Sequence, residues 1–216
     1  MPSGHKDQEW ELHQDASLSI ARYFQDLDSL IPQLPFSAIV AIVSVFLEAV
    51  EENRTIFIFG NGGSAASASH MMCDMNKGAS DITANQRPKV MALTDNVPLI
   101  SAWANDFGYE RIFSEQLKTF VRPRDVAFAI STSGDSPNVL LGLETAREYG
   151  ALTAGIAGCQ GGQMKGLCDV CAVVPSDNVK VVEDLHHAML HSIFTAVREG
   201  LLSRTAKSQL AQAASF

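Results

Sequence analysis

The chain is poor in charge, and poorer still in positive charge. Charged residues make up 19% of its 216 residues, with 16 Lys and Arg against 24 Asp and Glu, a formal net charge of −8. No Lys/Arg cluster stands along it, which argues against direct binding of a nucleic-acid backbone. Anionic small ligands stay in play, because a local nest of backbone amides can override net charge. Long apolar runs are also missing. The longest, Phe36 to Leu47, falls far short of the ~18 residues that span a bilayer. The opening MPSGHKDQEWELHQD is polar, without the apolar segment of a signal peptide. These absences predict a soluble, cytoplasmic protein with no membrane partner. Cysteine is sparse, and Cys73, Cys159, Cys168 and Cys171 have no disulfide-framework spacing. Internal repeats and low-complexity tracts are absent. A hydrophobic share of 46% marks a globular chain, long enough for one domain with a substantial core.

What is present is an alternation. Residues 8–30 and 36–52 read as two helices separated by Pro32 and Pro35. The second is apolar almost all round, so it is expected to be buried in its own subunit or packed against another. Strands follow at 55–59, 89–93, 125–130, 151–156 and 170–174. Helices fall between and after them at 64–76, 97–105, 109–121, 136–149, 162–167 and 179–203. Short apolar strands alternating with helices predict an α/β fold, a parallel sheet covered on both faces. Ligands of such a sheet sit outside the carboxyl ends of its strands. The stretch after Ser203 is polar and is expected to fray.

The chain is organised around residues 56–74, IFIFGNGGSAASASHMMCD. A buried strand breaks into the turn Gly60-Asn61-Gly62-Gly63-Ser64 and continues as a helix. A glycine turn entering a helix N-terminus makes an anion site; the bland alternative is a tight turn that needs glycine for positive φ. Neither GxGxxG nor GxxxxGK[ST] is present, so dinucleotide and P-loop nucleotide fingerprints are excluded. A second loop, Ser131-Thr132-Ser133-Gly134-Asp135-Ser136, also ends a strand. Capping by Ser136 with Pro137 at the first helical position accounts for its end. It leaves Ser131, Thr132 and Ser133 unexplained, and hydroxyls beside helix amides suit a phosphate.

Five titratable residues share two helix faces. His70 and Asp74 are spaced i, i+4, and Glu183, His187 and His191 are spaced i, i+4, i+8, drifting only about 80° around their helix. Two such faces meeting would gather the donors of a zinc-like ion. Taken singly, each histidine reads as a satisfied helix-surface residue; His186 fits that reading best. Cys73 reads as a small core residue. The CxxC at Cys168–Cys171 has no second CxxC and runs into an apolar strand, so it is not read as a metal or redox site.

Together GNGGS, ISTSG-x-S, Asn105-Asp106-Phe107-Gly108 and E-x7-H on the last helix resemble sugar isomerase (SIS) domains, with bacterial phosphoheptose isomerases the closest group. The resemblance covers nearly the whole chain. It implies a flavodoxin-like five-stranded parallel sheet in one SIS domain over 1–216, made of helices used in oligomer packing (1–53), an αβα core (54–203) and a tail (204–216). It also implies a homotetramer with sites between subunits and a zinc-assisted aldose–ketose isomerisation. By that resemblance Asn61, Gly62, Gly63 and Ser64 form a sugar-phosphate loop, and Ser131, Thr132, Ser133 and Ser136 form the phosphate cradle. Asn105 and Asp106 contact substrate, His70 is a metal ligand, and His191 is both ligand and acid/base. Departures are visible. Asp74 stands for a family glutamate that is ligand and base, and Glu183 for a glutamine ligand. Lys77-Gly78 replaces an arginine, and His187 an apolar residue. The implied activity is isomerisation of sedoheptulose 7-phosphate. Two alternatives stay open: an isomerase of another sugar phosphate, and a non-catalytic SIS interaction protein of the kind that associates with a replication initiator.

Overall fold

Five short strands carry the sheet: β1 (Thr55–Gly60), β2 (Lys89–Ala92), β3 (Val126–Ser131), β4 (Leu152–Gly158) and β5 (Val170–Val174). All pair in parallel, in the order β2-β1-β3-β4-β5. This is the flavodoxin-like order, and the direction of winding reverses between β1 and β3. The computed structural model describes the backbone of residues 4–80 and 87–213, and the side chains of 13–80 and 87–206.

The helices are α1 (Gly4–Leu30), α2 (Phe36–Glu51), α3 (Gly63–Gly78), α4 (Val97–Phe107), α5 (Ser114–Phe120), α6 (Pro137–Glu148), α7 (Met164–Leu167) and α8 (Val179–Ala213). Side chains alternate across a strand, so β1 feeds two cores. Ile56 and Ile58 join the core under α2, α3 and α8. Phe57 and Phe59 join the one under α5, α6 and α7. Phe46 of α2 meets Phe128 of β3 edge-on at 5.2 Å. Burying each such side chain contributes ~1.5–3 kcal/mol.

The inner face of α2, with Ile39, Ile42, Phe46, Ala49 and Val50, is buried in its own subunit. Its outer face is also apolar: Phe36 is 58% and Val40 63% exposed. On α1 the hydroxyl of Tyr23 donates to Asp184 Oδ2 of α8 at 2.6 Å, and that bond holds the tyrosine's pKa up, at about 12. Among the described residues no single helix is long and apolar enough to cross a membrane.

Three local expectations are corrected. The helix expected over 109–121 is a 3-10 turn at Tyr109–Arg111 followed by α5. Ile112 and Phe113, each 1% exposed, turn into the core between them. The predicted frayed tail is instead a continuation of α8 through Ala213. No proline or glycine interrupts 204–213, and its alanines and long side chains favour helix. Cys73 is exposed rather than in the core, because its position on α3 faces away from buried Met71 and Met75.

Candidate active site

The turn that leaves β1 needs glycine. Gly62 has φ +55° and ψ −119° at the N-cap of α3, a conformation that costs any residue with a Cβ. The loop that leaves β3 needs it too: at Gly134, φ is +69° and a Cβ would lie 2.2 Å from the Gly161 carbonyl oxygen. The two loops are tied together by an amide pair. Asn61 Nδ2 donates to Asn138 Oδ1, and Asn138 Nδ2 donates to Asn61 Oδ1, both at 2.8 Å. Tyr109 adds its hydroxyl to Asn61 Oδ1 at 3.1 Å.

The hydroxyl loop divides its residues between two concavities. Thr132 and Ser133 line a cavity of about 430 Å³ at the carboxyl ends of β3, β4 and β5, with Asp135, Cys159, Gln160 and Ser176. Ser131 is buried beneath them and accepts from the Gly134 amide at 3.1 Å. Ser136 opens instead onto a cavity of about 270 Å³ with Asn61, Tyr109, Glu110 and Asn138. Ser136 does occupy the N-cap of α6, but its side chain makes no capping hydrogen bond. Gly63 and Ser64 face a third, smaller concavity of about 160 Å³ between α3 and α8.

That third concavity leads to the histidines. His70 Nε2 lies 3.1 Å from His191 Nε2. Asp74 Oδ2 lies 3.3 Å from the first and 3.7 Å from the second. His187 completes a group with them: one ligand atom from each of His70, His187 and His191 falls within 4.8 Å of the others. Burial, then the neighbouring His191 and His70, hold the His187 pKa below that of an ordinary histidine. Glu183 lines the third concavity with His187, its carboxylate engaged by other groups. Its Oε2 accepts from Lys180 Nζ at 2.8 Å, and its Oε1 lies 3.2 Å from where a Cβ on Gly63 would stand. Asn105 and Asp106 are exposed near the end of α4, where Asn105 Nδ2 donates to Asp106 Oδ1 at 2.7 Å.

His186 is not the surface residue expected. It is 2% exposed, and neither ring nitrogen has a hydrogen-bond partner. Burial pushes its pKa down to about 4. Cys168 and Cys171 are free, half-buried thiols; their mutual hydrogen bond raises Cys168 and lowers Cys171. Asn138 and Tyr109 join the candidate site through Asn61, and no motif signalled either. Only the adjacency of β1 and β3 brings them to the glycine turn.

The family model of the SIS domain matches residues 22–158. The chain belongs to the SIS-domain family. This SIS chain is 34% identical over 190 residues to a phosphoheptose isomerase of Trichlorobacter lovleyi, covering 84% of this chain and 93% of the relative. It is 39% identical over 153 residues to one from Paramagnetospirillum magneticum, covering 70% and 78%. Phosphoheptose isomerase GmhA from Neisseria gonorrhoeae superposes with a TM-score of 0.76 at 25% identity, over 87% of this chain and 99% of that one. Within the SIS family this is a phosphoheptose isomerase-like enzyme.

Proposed function

We propose that this SIS enzyme interconverts sedoheptulose 7-phosphate and D-glycero-D-manno-heptose 7-phosphate in the cytoplasm. The observation that carries the reading is the convergence of His70, Asp74 and His191 from α3 and α8, within 3.7 Å, next to the concavity that Gly63, Ser64 and His187 line. The relatives named phosphoheptose isomerase support the substrate class.

Thr132 and Ser133, with the amides around Ser131 and Ser136, hold the phosphate. Asn61, locked by Asn138 and Tyr109, fixes the glycine turn against the sugar. The donor set fits a zinc-like divalent ion: two imidazole nitrogens face each other at 3.1 Å with a carboxylate against both. His70 and His191 would hold it, and when bound it supplies polarisation of the substrate carbonyl. Asp74 takes a proton from C1 of the ketose to leave the enediolate; His191 delivers one at C2, and the proton of the C1 hydroxyl passes to the C2 oxygen, giving the aldose. Aspartate is one methylene shorter than the glutamate of the resembling enzymes. A general base must come within about 3 Å of its proton, so the sugar has to sit closer to α3.

The cluster is open: the side chains of His70 and His191 are 48% and 50% exposed. That exposure and the outward apolar faces of α1 and α2 support a homotetramer whose neighbouring subunits close the sites. The N-terminal helices serve that packing, and the chain acts as one SIS domain. Asp74→Asn tests the catalytic assignment. Turnover falls by ~10²–10⁴ while sugar-phosphate binding, read by calorimetry, is kept. Unchanged turnover removes Asp74 from the chemistry.

A further inference from the structure

We propose that His187 is a metal ligand of this site, completing an all-imidazole set with His70 and His191, and that Glu183 has left that set. The inference rests on the reading of the site as metal-assisted, and reassigns which side chains hold the ion.

Each of the three rings touches the other two. Ring centroids lie 4.8 Å apart for His70 and His187, 4.6 Å for His187 and His191, and 5.1 Å for His70 and His191. One ligand atom from each of the three falls within 4.8 Å of the others, close enough to share an ion, and Asp74 stands against two of them, at 3.3 Å from His70 and 3.7 Å from His191. Glu183 sits one helical turn before His187 and is otherwise engaged. Its two oxygens are turned to Lys180 and to the backbone at Gly63.

The chemistry favours the same assignment. A catalytic zinc site has three protein ligands and keeps a fourth position open. If Asp74 had to be a ligand, its carboxylate would share its lone pairs between the ion and the substrate proton. Three imidazoles make the set complete without it, and leave Asp74 at the edge as a base. The alternative for His187 is an ordinary helix-face histidine that plays no part in metal binding, and it predicts the opposite result below.

The test is metal binding by the full-length protein, stripped and reloaded with zinc or cobalt(II). Affinity is measured by chelator competition, and ligand type by the cobalt absorption spectrum. His187→Ala loses affinity beyond the ~10–100-fold that removing an outer-shell partner costs, and shifts the cobalt spectrum. His187→Gln, which keeps the bulk, does the same. Glu183→Gln keeps affinity and spectrum. Wild-type affinity in both His187 variants overturns the proposal, as does a loss in Glu183→Gln equal to that in His187→Ala, or a wild-type protein that takes up no metal. Turnover of sedoheptulose 7-phosphate is followed in parallel. Metal held through His187 without turnover leaves the ligand set standing and removes the isomerase reading. Turnover with metal that ignores His187 does the reverse.

Discussion

His186 and His187 are neighbours in sequence with opposite surroundings. His187 packs against His191 on its own helix and against His70 across the α3–α8 contact, whereas His186 turns inward with no hydrogen-bond partner. A buried imidazole stays neutral because desolvation penalises its cation. The folded pKa of about 4 lies below the ordinary 6.5, so the folded state binds fewer protons between those values. The stability this confers is complete above pH 6.5 and is lost as pH falls toward 4. His186→Leu removes that loss, and at neutral pH costs little because no hydrogen bond is broken. Urea unfolding midpoints from pH 7 to 4 measure it: the wild type falls more steeply than the variant. Parallel curves contradict the assignment. Spacing alone could not separate the two histidines. It located the 183/187/191 face, but not how deeply the next residue round the helix is buried.

Strands and helices form the next scale, where the glycine turn and the hydroxyl loop work as one unit. The reciprocal amide pair between Asn61 and Asn138 joins the end of β1 to the start of α6. Asn138→Ala leaves the Asn61 amide partly buried with the Tyr109 hydroxyl as its remaining side-chain partner. A stranded polar group costs ~1–3 kcal/mol. The expected result is a melting temperature lowered accordingly and a raised KM with kcat less affected. A raised KM with an unchanged melting temperature would show that the pair serves substrate rather than the scaffold. The inner strands β1, β3 and β4 were legible because buried parallel strands are short, unbroken apolar runs. The edge strands β2 and β5 are only partly buried and were legible as short apolar stretches between helical ones. The N-terminal helix pair was legible from Pro32 and Pro35. What could not be read were interactions set by strand order, such as Asn61 with Asn138, 77 positions apart. The end of α8 was misread because the polarity of 204–213 hid good helix formers.

On the scale of the whole molecule, the strand order brings together what the chain keeps far apart. The direction of winding reverses between β1 and β3, and the glycine turn and the hydroxyl loop leave these two neighbouring strands. His70 and His191, 121 positions apart, meet at 3.1 Å because α3 and α8 cover the same sheet face. The motifs announced this meeting as a resemblance; the turn of Glu183 toward Lys180 and Gly63 became visible only with α8 placed against the glycine turn. The most direct measurement is the turnover of sedoheptulose 7-phosphate by the purified protein, stripped of metal and then reloaded with zinc, following aldose formation. The account predicts aldose product that disappears on stripping and returns with zinc. No aldose under either condition, with the sugar phosphate still raising the melting temperature, would contradict it and leave a sugar-phosphate-binding protein or an isomerase of another sugar.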